Sequence, residues 1–377
     1  MKKFCTFLLA VLATSFAFAQ SVLSLPPNGD NQRSQVTQWI GPVQVSIDYH
    51  SPNVHAPNGD DRTGHIWGEL VHYGMIDQGF GTSKAAPWRA GSNENTSITF
   101  SHPVKVEGKD VPAGTYGVFM EVTKDGPWTL ILSKNSTSWG SYFYNPAEDA
   151  LRVNVTAVDA PFTEFLTYGF DDRLGNAAVA FLQWEKKKVP FRIEVPNVNE
   201  IYVTEMRNQL RSWPGFDVAN HLQAARFCAQ NKINLEEALA WSNAALDPAL
   251  GGSENFNALS TKAQVLMAMG NAPEANVTMD KAIKLPGTSV QNIHQYGRTL
   301  LSMGQNAKAL EVFQYNAKSH PEEKFTTFVG LARGYTAVGN KKEAIKNWET
   351  AIKNIPENQK QNVGLYEGEL KKLKETK

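Results

Sequence analysis

The sequence predicts a multidomain chain: an all-β sandwich or partly closed barrel, followed by an all-α solenoid of helical repeats. Two observations carry this reading. From about Pro42 to Val195, short runs alternate apolar and polar residues at period two and are separated by Gly, Pro, Asn and Asp. From Asp217 to the C-terminus, apolar and small residues recur with a period of about 34 residues, and such repeats stack into solenoids. Between them, Val198 to Arg211 has helical spacing, Asn197 is a candidate N-cap, and Pro214-Gly215 is a break. The expected organisation is therefore a β-rich domain over 42–195, a linker with a short helix over 196–216, and repeats over 217–377.

Along the first domain, Val43 to Tyr49 and Thr96 to Phe100 read as strands. Gly114 to Val122 and Trp128 to Ser133 flank Lys124-Asp125-Gly126, a hairpin signal. Further strands are expected at Leu151 to Ala157, Phe162 to Phe170, Asn176 to Trp184 and Pro190 to Val195. Pro112-Ala113-Gly114 sets a turn, after which Thr115 and Tyr116 begin a core strand. In order along the chain stand Gly68-Glu69-Leu70-Val71, Tyr73-Gly74, Trp88 to Glu94, Thr96 to Phe100, Val111 to Val118 and Trp128 to Ile131. Trp139-Gly140, Tyr144-Asn145-Pro146, Leu151-Arg152-Val153 and Trp184-Glu185 follow. With these residues, the stretch from about Ser51 to Val195 resembles the secreted bacterial family called domain of unknown function 2911. It departs from that pattern between His55 and His65. The resemblance implies an exported β-rich fold and brings no activity with it.

In the repeats, Phe328, Ala332, Tyr335, Gly339, Ala344, Trp348, Ala351 and Pro356 form the clearest copy. Ile293, Gly297, Leu300, Gly304, Ala309, Phe313 and Pro321 form the one before it, and Leu259, Ala263, Leu266, Gly270, Ala275, Met279 and Ala282 the one before that. A degenerate copy contains Leu222, Ala225, Ala229, Ala238 and Ala245. Small residues let paired helices approach, large ones fill the space between them, Gly ends the first helix and Pro stops the second. This pattern resembles the tetratricopeptide (TPR) repeat, a helix–turn–helix unit. Val363, Tyr366, Leu370 and Leu373 lie on one side of a charged final helix, as a solenoid cap requires.

At the N-terminus, Lys2-Lys3, an apolar run from Phe4 to Phe18, and Ala17-Phe18-Ala19 before Gln20 read as a cleaved signal peptide over 1–19. The expected location is periplasmic or extracellular, with no transmembrane segment after signal removal. Cleavage leaves one cysteine, Cys228, which cannot form an intramolecular disulfide and reads as a buried small hydrophobe. The 37 basic residues equal the 37 acidic ones, which argues against a nucleic-acid partner.

Signatures of common catalytic sites are missing: no G-x-S-x-G, H-E-x-x-H, P-loop, C-x-x-C or G-x-G-x-x-G occurs. Nothing points to a cofactor. The candidate ligand site is Trp88-Arg89 with Asn93-Glu94, joined by Trp67 and Trp139, with Tyr142 and Tyr144 near the same cleft. Arg offers a donor fork for a carboxylate or phosphate, and Trp a stacking face for a sugar or cation. The opposing reading pairs Arg89 with Glu94 and makes the Trp rings a plug. His50, His55, His65, His72 and His102 cluster in sequence, but their spacings match no common metal-ligand pattern. His65 and Glu69 are expected on one face of a strand, with His72 on the other. Asn58-Gly59-Asp60-Asp61 reads as a polar turn, lacking the ligand alternation of a calcium loop.

In TPR units, the resemblance implies, certain first-helix positions line a concave groove. One such position carries Gln264, Arg298 and Arg333 in successive repeats; another carries Ser260, His294 and Val329. Gln264, Gln291, His294, Arg298 and Arg333 are therefore the candidate partner-binding residues, and two guanidiniums facing a groove suit an acidic or carboxylate-ending protein or peptide; the opposing reading pairs each Arg with a second-helix carboxylate of the array itself. Two functions follow: an envelope scaffold that binds a protein through its repeats and a second ligand, small molecule or glycan, through its β-domain; or an envelope hydrolase of glycans or peptides centred on Arg89 and Glu94. A second carboxylate beside Glu94 in an open cleft would favour the hydrolase.

Overall fold

The structure is a computed structural model that describes residues 31–375. The expected signal peptide lies outside them. The chain divides into two compact units between Val198 and Asn199.

Among its described residues, the first unit holds ten strands in two antiparallel sheets. Strands β1 (Gln32–Ile40), β2 (Val43–Ser51), β3 (Ser97–Phe100), β6 (Gly114–Glu121), β7 (Trp128–Ser133) and β8 (Asp149–Val155) lie in that order in one sheet. The other runs β5 (Lys109–Val111), β4 (Val104–Val106), β10 (Ala177–Glu194), β9 (Val158–Asp171). Alternation decides which side chains go inward: in β2, Val43, Val45, Ile47 and Tyr49 are buried while Gln44 is exposed. From the second sheet, Leu166, Tyr168, Leu182, Phe191 and Ile193 are buried as well. Tyr49 of β2 meets Tyr168 of β9 at 4.9 Å between ring centroids, a contact from sheet to sheet. This is a β-sandwich.

Besides the short strands β4 and β5, which were not expected, three elements differ from the sequence expectation. The first strand begins at Gln32, ahead of Pro42, and pairs with β2 along its whole length through a two-residue Gly41-Pro42 loop. The stretches expected as two strands, Asn176 to Trp184 and Pro190 to Val195, are one strand, β10. Its continuity is maintained by a bulge at Glu185, which takes φ 51° and is buried. The segment around His65, Glu69 and His72 forms no strand; it belongs to the long irregular connection from β2 to β3, held by isolated bridges. There His65 and Glu69 meet at 3.0 Å in a bend rather than on a strand face.

The second unit is a TPR-like solenoid. A leading helix α1 (Val198–Gln209) precedes the pairs α2 (Val218–Asn231) with α3 (Leu235–Ala244), α4 (Phe256–Ala268) with α5 (Ala272–Ala282), α6 (Val290–Ser302) with α7 (Asn306–Ser319), and α8 (Thr326–Ala337) with α9 (Lys341–Lys353). Helix α10 (Val363–Glu375) follows. In three successive repeats the first helix ends at a glycine with positive φ: Gly270 at 83°, Gly304 at 73° and Gly339 at 79°. The next residue then bonds back to the last turn, as in Asn271 N to Leu266 O, Gln305 N to Leu300 O and Asn340 N to Tyr335 O, each 2.9 Å. Asn271 and Asn340 go on to cap the second helix. Large residues fill the pairs: Phe313 is fully buried against Ile293, Leu300 and Ala309, and Trp348 against Val329, Ala332 and Ala351. Tyr366, Leu370 and Leu373 of α10 pack over that last cluster, so the expected cap closes the array.

The segment expected as a linker contributes α1 to the second unit. Its Val203 is fully buried in a cluster with Ala225, Cys228, Ala238 and Val265. Cys228 is fully buried, and burial raises its thiol to about 11, with Glu237 and Glu200 adding to the effect.

Candidate functional site

Of the β-unit residues singled out from sequence, Trp67, Trp88, Arg89, Asn93 and Glu94 fall on the connection between β2 and β3, Trp139, Tyr142 and Tyr144 on the one between β7 and β8, and their side chains separate. Trp88 is buried; its backbone bridges to Met120, with Trp88 N to Met120 O at 3.0 Å. Its ring is 5.7 Å from Trp67 and stacks 6.3 Å from Trp184, and Trp67 lies 5.0 Å from Trp128. The indoles pack on one another instead of offering Trp88 as an open stacking face. Arg89 does not pair with Glu94. Its guanidinium donates to the Asn93 carbonyl at 2.9 Å and lies over the Tyr142 ring at 5.2 Å. Gly140 permits that position, since a Cβ there would lie 2.3 Å from Arg89 Cζ. Trp139 is exposed beside it. Tyr144 is buried, its hydroxyl donating to Asp149 at 2.7 Å.

The loop itself is tightly fixed. Ala90 at φ 50° and Asn93 at φ 55° occupy the left-handed region, and the Ala90 carbonyl accepts from Tyr168 Oη at 2.8 Å and Thr96 Oγ1 at 3.1 Å. This turn delivers Glu94 to a polar cleft of about 280 Å³ lined by Arg33, Asp48, His50 and Glu94 with Ser136 and Ser138. Glu94 takes His50 Nε2 at 3.1 Å. The second carboxylate, Asp48, is held by the Arg33 fork at 2.8 and 2.7 Å. Both acids of the cleft thus have basic partners.

The histidines clustered in sequence disperse in space. His55 contacts Glu164 at 2.7 Å, which raises its pKa, while His72 accepts burial and bonds the Gly74 carbonyl at 3.0 Å. His102 meets Ser101 at 3.0 Å. Asn58 and Asp60 close the expected polar turn, Asn58 Nδ2 to Asp60 Oδ2 at 2.6 Å, with Gly59 at φ 93°.

The helical unit gathers more of its candidates. His294 of α6 is buried against Phe313, their rings 5.4 Å apart, and Arg333 of α8 is half-buried. Arg298 lies exposed on α6. Burial, then Arg333, then Arg298 push His294 down to about 4. Burial and the Arg298 charge also lower Arg333. The three basic groups therefore share one neighbourhood. Glu323 faces His294 but spends its carboxylate on the Thr326 and Thr327 N–H groups, at 2.9 and 2.8 Å. Glu369 faces Arg333 and is held by Lys372 at 2.9 Å. Neither Arg298 nor Arg333 makes an ion pair among the described residues, and Arg333 Nε is buried without a hydrogen-bond partner. Gln291 bridges α6 to α8 by donating to Thr326 Oγ1 at 3.1 Å. Gln264 stands apart from this group, on the α4 wall of a separate cleft. Ser260 and Val329, expected to line the groove with His294, are all but buried.

Comparison with known proteins gives the following similarities. Residues 31–193 match the family described as "Protein of unknown function (DUF2911)". The match begins well before Ser51, taking in β1 and β2. Among solved structures, the chain is similar to YrrB, titled a TPR protein with an unusual peptide-binding site: 19% identity over 46% of this chain and 90% of that one, TM-score 0.31. It is also similar to MamA 41-end from Desulfovibrio magneticus RS-1, at 21% identity over 41% and 90% of the two chains with TM-score 0.27. A MamA RS-1 double mutant gives 17% identity over 42% and 94%, also with TM-score 0.27. No curated protein matches the chain.

Sequence reasoning missed Arg33 and Asp48. The signal was present in Gly41-Pro42 between two runs of strand formers, but β1 is polar on both faces and shows no alternation. It also missed the cleft that holds Gln264, because repeat periodicity reports contacts that recur and not a junction that opens.

Proposed function

We propose that the chain is an exported scaffold whose helical repeats hold an acidic or carboxylate-ending protein segment. One observation carries the reading: the Arg298 charge lies close enough to lower Arg333, and neither guanidinium makes an ion pair among the described residues. Gathering like charges costs energy, and an anionic partner recovers it. Arg suits the task because its planar fork takes a carboxylate by two parallel hydrogen bonds. His294 is buried beside them. Export is supported by Lys2-Lys3, the apolar run and Ala17-Phe18-Ala19. No described helix is long and apolar enough to cross a membrane.

The test compares a fluorescein-labelled peptide, Gly-Ser-Gly-Asp-Asp with a free C-terminus, with the same peptide as Gly-Ser-Gly-Ser-Ser amide. The acidic peptide is expected to bind at least tenfold more tightly at low salt and to weaken as salt rises. Equal binding of the two would contradict the reading.

A further inference from the structure

We propose that the cleft between the second and third repeats is an apolar side-chain pocket, which takes a Leu, Met or Phe of the same partner peptide, about three residues from the acidic group held at Arg298 and Arg333. This rests on the groove reading above and extends it to a second contact. The opening comes from the way the repeats stack. Helices α2 and α4 approach closely, as do α6 and α8, whereas neither α4 nor α5 brings its backbone comparably close to α6. The space left between them, about 220 Å³, is walled by Phe256, Met267, Met279, Tyr296 and Met303.

The lining identifies the occupant. No charged residue borders the cleft, so a charged group entering it would lose hydration with nothing to replace it. The volume exceeds the roughly 150 Å³ that holds a benzene and is far below that of a helix, so one large side chain fits. Three methionines supply a wall that adapts to the shape of its guest. At the rim, Gln264, Asn292 and Gln295 present side-chain amides with no partner among the described residues. Amides donate and accept together, which matches a peptide main chain and not a free hydrocarbon or a lipid tail. Asn276 is already engaged, donating to Gln305 at 3.1 Å and accepting from Tyr296 Oη at 3.3 Å, and so closes the α5 side.

The spacing follows from α6. Gln295 and Thr299 line the cleft on its α4 side, while His294 and Arg298 belong to the cationic group on its α8 side. A peptide that crosses one helix, about 10 Å in diameter, covers it with about three extended residues. The preferred segment is therefore apolar-x-x-acidic.

The experiment uses the whole chain with methionine methyls labelled for NMR, and three probes: Gly-Leu-Gly-Ser-Asp with a free C-terminus, its Leu-to-Ser analogue, and the Leu peptide as an amide with Ser in place of Asp. The Leu peptide should move the Met267, Met279 and Met303 methyls and leave Met75 and Met120 unmoved. The Ser analogue should bind at least tenfold more weakly and move none of the three. Thr299→Trp, an exposed helix position that would fill the cleft, should lose the Leu preference but keep the preference for the acid. Equal binding of the Leu and Ser peptides with those methyls unmoved would overturn the pocket while leaving the groove standing. No preference for the acid in any probe would overturn the groove and the pocket's place in it. Methyl shifts that grow with protein concentration in the absence of peptide would assign the cleft to a second copy of the chain and overturn the proposal.

Discussion

Trp88 and Glu94 are six residues apart on one loop and depend on different forces. Trp88 is buried among other indoles, so Trp88→Ala removes a large apolar surface and leaves a cavity. Its expected cost is about 3–5 kcal/mol. Glu94 is more than half exposed and makes one contact, to His50. Glu94→Ala should cost under about 1 kcal/mol. Thermal melts of the two variants separate these outcomes; comparable losses would mean Glu94 holds the loop. His294 yields a pH prediction. Its folded value, about 4, lies below the ordinary histidine value in an unfolded chain. The unfolded state therefore takes the proton first. Stability is complete above about pH 6.5 and falls as pH drops from there toward 4, by roughly 3 kcal/mol in all. Glu323 opposes the shift, and Arg333 and Arg298 reinforce it. Denaturant midpoints from pH 7 to 4 should show the slope, and His294→Gln should flatten it.

At the scale of elements, glycine serves two different ends. Gly304 and Gly339 terminate helices in a backbone conformation that side chains resist. Gly297 lies inside α6 to admit a ring: a Cβ there would meet Phe313 Cε1 at 2.4 Å. Gly330 and Gly334 close on the same ring, with Cβ positions 2.5 and 3.0 Å from it, so the ring has no room to move aside. Gly297→Ala should thus destabilise by about 1–3 kcal/mol despite alanine's better helix propensity. Gly368→Ala in α10, where a Cβ meets nothing within 4 Å, should stabilise by several tenths to about 1 kcal/mol. Melting the pair of variants checks both signs. These elements were legible in sequence because each repeated residue does one packing job. The β-unit was legible only where one face is buried. Strand β1 escaped because its residues are polar on both sides, and β10 was split in two because Glu185-Lys186-Lys187-Lys188 resembles a turn although the strand carries it as a bulge. The long β2–β3 connection was misread around His65 because short apolar runs also occur in loops fixed by bridges. Of the candidate site, the Arg298–Arg333 pair followed from position in the repeat, whereas Arg89 and Glu94 were adjacent in sequence only and their side chains diverge.

At the scale of the whole molecule, two cores with different periodicities are built from contiguous halves of the chain. Each satisfies its own backbone: strands pair within 32–194 and helices cap within 198–375. Limited proteolysis should therefore cut first between Glu194 and Asn199, leaving a β-rich fragment and a helical fragment, each folded by circular dichroism. The central claim concerns the second half: its repeats bind an anionic segment through Arg298 and Arg333. The most direct measurement is a charge swap, titrating wild type and the folded Arg298→Glu/Arg333→Glu variant with Gly-Ser-Gly-Asp-Asp and with Gly-Ser-Gly-Lys-Lys amide. The account predicts that wild type selects the acidic peptide and that the variant loses it and gains the basic one. Unchanged selection of the acidic peptide by the variant would contradict it.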